Sequence, residues 1–269
     1  YHYGSQGTLD TIPKLTIDDL RQFHTQHYGP QRMIIVVVGA INATFALDTV
    51  KRNFADWDNS AQKSPITLPE LPTMAQPRRT SVIVPGKYQA NIIIGSIGPS
   101  RFDPDYRPAN LANSILGQFG MMGRIGEVVR EREGLAYYAG SQINGGHGPG
   151  SWTINAGVDP ADVERAIALC LEEIERITTE PVSDDDLTDN QSYYIGRLPL
   201  QLENNEGLAG AILTIEMFQL GLNYLLNYRD IILELTKTDL LRATQRFLSP
   251  ESLVISVAGP GNQNDETVD

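Results

Sequence analysis

The hydrophobic positions along the chain follow two periods. Residues 90–97 are almost continuously apolar, which predicts a strand lying centrally in a sheet. Residues 80–84 predict a strand before it. Residues 137–143 and 151–158 alternate in the manner of half-buried strands, joined by the glycine-rich NGGHGPG, which suits a loose hairpin. A period near 3.6 predicts helices over 107–116 and 123–132, and the stripe Val163, Ile167, Cys170, Leu171, Ile174 and Ile177 predicts another. Ser183 with Asp186 three residues on opens a further helix, and 253–258 closes the pattern as a strand. Nearer the start, Thr16 and Asp19 have capping-box spacing for a helix to about His27. A buried strand is expected over 33–38 and a second helix over 43–54. Strands and helices fall in blocks, so the predicted fold class is α+β, a sheet with helices packed on one face.

Two of these stretches are copies of one another. LTIDDLRQFHTQHYGPQRMIIVVVG begins at Leu15 and LTKTDLLRATQRFLSPESLVISVAG at Leu235, a gapless match at an offset of 220. That offset far exceeds the roughly 20 to 50 residues of solenoid repeats, so it points to domain duplication. The organisation expected is the C-terminal tail of a first domain over 1–57, a linker over 58–79 marked by Pro65, Pro69, Pro72 and Pro77, a second domain over 80–262, and an acidic tail over 263–269.

Composition narrows the function classes. A formal charge of −12 without a run of Lys and Arg argues against nucleic acid. No stretch approaches the roughly 18 to 20 apolar residues of a membrane span. A soluble chain is expected, with the cytoplasm as its default compartment. The single cysteine, Cys170, lies on an apolar stripe and reads as a core thiol.

Candidate chemistry is sparse. His24 and His27 share a helix face, yet the second copy has Thr244 and Phe247 at those places, as packing positions would allow. His147 stands in a glycine-rich loop and His2 is near the first residue. The chain has no HxxEH, GxxxxGK[ST] or GxSxG, so no metal or cofactor is expected in it. The remaining candidate is VVREREGLAYYAG. Ile125, Val128 and Val129 form the buried side of a helix, Gly134 stops it, and Arg130 and Tyr137 can project into one space. A fixed cation and a phenolic donor there would suit a developing oxyanion. Arg132 falls on the packed side, where packing or a salt bridge is expected.

These motifs resemble the M16 metallopeptidases, the family of pitrilysin, insulin-degrading enzyme (insulinase) and mitochondrial processing peptidase. YHYGSQGTLDTIPKLTIDDLRQFHTQHYGPQRMIIVVVGAI is similar to the closing part of the family's first domain, and GRIGEVVREREGLAYYAGSQ to its second-domain signature. The resemblance implies two homologous α+β domains per half, with two halves enclosing a chamber. It places HxxEH and zinc in a first domain upstream or in a partner subunit. It implies that an Arg and a Tyr seven apart, here Arg130 and Tyr137, hydrogen-bond the substrate carbonyl. The chain is then expected to be inert alone. Its partners would be an unfolded peptide and either an N-terminal domain or a second M16 subunit, forming a dimer. The alternative is a non-catalytic family subunit, a binding or structural partner of a separate HxxEH-bearing chain.

Overall fold

The computed structural model describes residues 4, 6–65, 67–71 and 76–260. The expected acidic tail over 263–269 and positions 72–75 of the expected linker lie outside the described residues. The chain divides into two compact units, one of Tyr1–Pro69 with Gln201–Gln219, the other of Glu70–Leu200 with Leu220–Asp269.

In the first unit, α1 (Ile17–His27) opens on a reciprocal capping box between Thr16 and Asp19. Helix α2 (Ala43–Phe54) is capped by Asn42, whose carboxamide oxygen accepts from the Thr44 and Phe45 amides. Asn59 then donates to the Thr25 and Tyr28 carbonyls at 2.7 and 2.6 Å, fastening the chain after α2 to the end of α1. The helix Asn205–Met217 also belongs to this unit.

The expected buried strand over 33–38 does not form. Those residues run without a ladder, and Met33, Ile34, Ile35 and Val37 are exposed. A strand needs a neighbour to take its backbone N–H and C=O groups, and among the described residues this segment has none.

The second unit is built on a five-stranded sheet. Its strands are β1 (Arg78–Ile83), β2 (Ala90–Gly98), β3 (Ala136–Asn144), β4 (Gly150–Val158) and β5 (Val254–Gly259), in the order β1-β5-β2-β4-β3. β1 and β5 are parallel and the other pairs antiparallel. The apolar run of β2 is indeed the central strand. Helices α3 (Tyr106–Gly117), α5 (Val163–Thr179) and α9 (Lys237–Phe247) supply Leu111, Leu116, Ile167, Ile174, Ile177 and Leu240 to the core, where they meet Ile92, Ile94, Trp152 and Ile154. Each such side chain contributes about 1.5–3 kcal/mol by leaving water. α3 ends against β3 so closely that a Cβ at Gly117 would lie 2.2 Å from the Ser141 amide nitrogen. Ion pairs from Arg242 and Arg246 to Asp105, and from Arg246 to Asp103, tie the start of α3 to α9.

The alternation leaves one sheet face to the helices. The other carries Thr80 and Val82 of β1, Ser256 of β5, Asn91 and Ile93 of β2, Thr153 and Asn155 of β4, and Tyr138 and Gln142 of β3. Arg78 is the one charged side chain that the strands place on this face. Among the described residues no helix is long and apolar enough to cross a membrane.

Candidate functional site

Arg130 and Tyr137 sit on either side of the turn from the helix layer into β3. The helix expected over 123–132 changes type partway. It starts as a short α-helix, α4 (Gly123–Ile125), and continues as a π-helical segment, Gly126–Arg132. At its end the Glu133 amide donates to Val128 at 3.1 Å and the Leu135 amide to Val129 at 3.0 Å, the long spans of a widened turn. Ile125, Val128 and Val129 stay buried, while Arg130 is half-exposed at the rim, with Glu131 at 3.5 Å as its ionic neighbour. Gly134 follows at φ +66°, a backbone state that costs a side-chain-bearing residue about 1 kcal/mol or more.

β3 then opens on a bulge. Ala136 pairs with Val158 and Tyr138 with Gly157, so two steps on β3 match one on β4 and Tyr137 is the extra residue. Strict alternation would have put Tyr137 on the helix-covered face with Ala139 and Ser141, both buried. The bulge turns it out instead. Its side chain is 84% exposed, and among the described residues its hydroxyl has no hydrogen-bond partner. No hydrogen bond joins Arg130 to Tyr137. Arg130 faces Glu131 while, among the described residues, the Tyr137 hydroxyl is unbonded, the two residues seven apart in the chain. Arg132 is exposed and not on the packed side as expected, with Glu133 at 3.5 Å, and Glu133 is also bonded by Arg165.

Against the π segment lies a group of charged side chains that sequence reading missed. Arg124 bonds Asp186 at 2.6 Å; burial works against the Asp186 charge, but this bond holds its carboxyl below the usual range. Glu173 of α5 is buried on the row of Ala166, Cys170 and Ile177, a spacing at which a carboxylate was legible as an anomaly. Burial pushes its carboxyl up, against the pull of Arg176, Arg124 and Arg132, and Glu127 adds to the rise. Among the described residues its Oε2 has no hydrogen-bond partner. The Cys170 thiol, likewise buried, is pushed up to about 12.

Gln118, Met122, Tyr138, Gln142 and Asn155 line a cleft of about 310 Å³ beside the outer strand β3.

The donor set does not fit a zinc ion. Among the described residues no three His, Cys, Asp or Glu side chains converge on a possible metal position. His24 is stacked on Tyr28 with ring centroids 5.2 Å apart, His27 packs against Phe23 at 4.5 Å, and His147 lies 5.5 Å from Phe102. His2 lies outside the described residues.

Residues 14–193 match the peptidase M16 inactive domain family. An uncharacterised zinc protease of Streptomyces coelicolor is 28% identical over 77% of this chain and 45% of its own length. An uncharacterised zinc protease of Bacillus subtilis is 25% identical over 96% of this chain and 61% of its own. The chain thus spans about half the length of these relatives. The crystal structure of a peptidase M16 inactive domain from Pseudomonas fluorescens superposes with a TM-score of 0.85 at 24% identity, covering 97% of this chain and 61% of that one, a likeness of fold. With more than half of its residues matched by the family and the same α+β sheet beneath them, the chain belongs to the peptidase M16 inactive domain family.

Proposed function

We propose that this chain serves a zinc endopeptidase by supplying Arg130 and Tyr137 to a peptide carbonyl held at the metal of a companion domain or subunit. The observation that carries this reading is the bulge. It costs the β3–β4 ladder a regular pair, and what it achieves is to deliver an exposed, unpartnered phenol one glycine turn away from the rim arginine. Two donors aimed at one oxygen stabilise the charge that grows on a carbonyl under attack, each worth roughly 10² to 10³ in turnover. Zinc would supply the activated nucleophile, but among the described residues no group of side chains fits it, so the chain's own part is confined to orienting and polarising the substrate. It is inert alone.

Two further features support the companion. Leu20, Phe23, Ile34 and Ile35 of the first unit form exposed apolar surface of the kind that marks an interaction site. The sheet face bearing Thr80, Ser256, Asn91, Thr153 and Asn155 is polar but almost uncharged in a strongly acidic chain, as a wall against unfolded peptides of varied charge would need to be.

The test is Tyr137→Phe in the reconstituted assembly with its zinc-bearing partner. Turnover of an unfolded peptide should fall about 100-fold or more with little change in folding. Full turnover with Phe at 137 would remove the assigned role and leave the alternative of a binding or structural subunit.

A further inference from the structure

The loop that joins α3 to α4 crosses the free edge of β3. Gly140 stands between Tyr138 and Gln142 on the face that the helices leave open. A Cβ at Gly140 would lie 2.8 Å from the Gly117 carbonyl oxygen and 3.4 Å from the Met122 sulfur, so the glycine is what lets the loop come round onto that face. Met122 is held at φ +80°, a left-handed state that a side-chain-bearing residue keeps only where its surroundings impose it. Tyr138, in turn, lays its ring where a side chain at 157 would stand: a Cβ on Gly157 would meet a ring carbon at 2.5 Å. Met122 and Tyr138 both wall the cleft of about 310 Å³ beside β3.

Most of the polar side chains of this cleft are carboxamides. Gln118 reaches it from the loop, Gln142 from β3, and Asn155, directly opposite Gly140, from β4. Among the described residues neither glutamine side chain makes a hydrogen bond, and Asn155 makes one, from Nδ2 to the Thr153 hydroxyl at 3.3 Å. Ser141, also in the lining, is already bonded to Asn113. No residue lining the cleft is charged, in a chain with 33 Asp and Glu and 21 Lys and Arg. An ion entering it would shed hydration without meeting a counter-charge, and a hydrocarbon would leave the carboxamides unpaired. A neutral amide does neither, because it both donates and accepts, as they do.

We propose that the cleft binds a neutral amide group of a peptide, with Gln118, Gln142 and Asn155 as its hydrogen-bonding partners and Met122 and Tyr138 as its apolar walls. The amide belongs to the main chain of an extended segment or to a Gln or Asn side chain. Methionine suits a wall that must fit varied peptides, because its unbranched thioether adapts its shape. Gln142 lies five residues beyond Tyr137, about 16 Å of strand. A peptide presented to Arg130 and Tyr137 can therefore lay in the cleft a segment roughly four or five residues from its reacting carbonyl. That placement rests on the role proposed above, whereas binding in the cleft is read without cleavage.

The probes are N-acetyl-penta-alanine amide, the same peptide with a central glutamine, and a depsipeptide in which lactate replaces the central alanines and removes their N–H donors. Each is titrated into the 269-residue chain carrying carbon-13 methyl-labelled methionine, and the Met121 and Met122 resonances are followed by NMR. The glutamine peptide should give saturable shifts at Met122. Equal binding of penta-alanine amide would assign the amide to the main chain, and weaker binding would assign it to the side chain. The depsipeptide should bind at least about tenfold more weakly than the glutamine peptide. Gln142→Leu keeps a side chain of similar bulk without its hydrogen-bonding groups and should weaken the glutamine peptide about three- to tenfold. No saturable shift with the glutamine peptide, equal binding of the depsipeptide, or unchanged affinity in Gln142→Leu would overturn the proposal. So would Met122 shifts that follow protein concentration alone, since a second copy of the chain would then fill the cleft. None of these results bears on turnover in Tyr137→Phe. Full turnover in that variant would leave the cleft standing and remove only its placement relative to the reaction.

Discussion

Residues 15–39 and 235–259 are two copies of one segment, and their fates differ. Both helices are 11 residues long, both start one residue after a threonine, and both close the same reciprocal box, Thr16 with Asp19 and Thr236 with Asp239, with nearly equal distances. Beyond that the copies part. Leu240 is 1% exposed and its counterpart Leu20 57%; Ala243 is fully buried and its counterpart Phe23 is 55% exposed. The second copy continues into β5, held between β1 and β2, while the first continues into the unpaired 33–38. A helix with its cap is a local object and forms twice from similar sequence. Burial and strand pairing require neighbours, and only the second copy has them among the described residues.

The sharpest way to break this comparison is truncation at equivalent positions. Leu240→Ala should cost about 2–5 kcal/mol in denaturant unfolding, whereas Leu20→Ala should stay within about 0.5 kcal/mol. Equal losses would mean that the first copy is buried in solution.

A second difference is electrostatic. Arg242 and Arg246 of the second copy correspond to Gln22 and Gln26 of the first, so at these two positions only the second copy carries the cations that hold Asp105. Burial opposes the Asp105 charge, but hydrogen bonds from Arg246 and Arg242 outweigh it and hold the carboxyl below its ordinary range. A carboxyl depressed in the folded state stabilises above its unfolded value, near pH 4, and that contribution is lost as pH falls through the folded value. Asp105→Asn should therefore lower stability at neutral pH and flatten its fall in acid, as followed by thermal unfolding across pH.

Glu173 should behave with the opposite sign. Its carboxyl is raised by burial, so its contribution is greatest below the unfolded value, near pH 4.3, and is lost as pH rises through the folded one. Glu173→Gln should remove that decline and make the chain comparatively more stable at neutral pH. A steeper decline in the variant would show that the ionised carboxylate has found partners.

The smallest effect separates local from global structure. Thr236→Ala and Thr16→Ala should each cost their own helix about 1 kcal/mol. Amide exchange would register this along α1 in one variant and along α9 in the other. Only the α9 loss should propagate into β5 and β2, through the Ser96 hydroxyl bonded to the Phe247 carbonyl.

Much of the site region was legible in advance. The helix before Gly134, the strand after it and the hairpin partner at 151–158 followed from period and glycine placement, and Arg130 and Tyr137 stood out as the side chains without a packing duty. The π turn and the bulge were not legible. Both are local departures from a regular period, which hydrophobic patterning does not register. A single residue of slip reverses a side chain's face, and that slip is what exposes Tyr137.

The sequence by itself determined the helices, their caps, the duplication, the central place of β2 and the α+β class, because propensity, capping and hydrophobic period act over a few residues. Only the tertiary structure decided which copy of the repeated segment is buried, which residue is squeezed out of β3, and that Arg107 lies over the Tyr224 ring. These depend on contacts between residues far apart in the chain, such as the β1–β5 ladder, where Arg78 pairs with Val254, and the β2–β5 ladder, where Asn91 pairs with Ala258. No local pattern carries them.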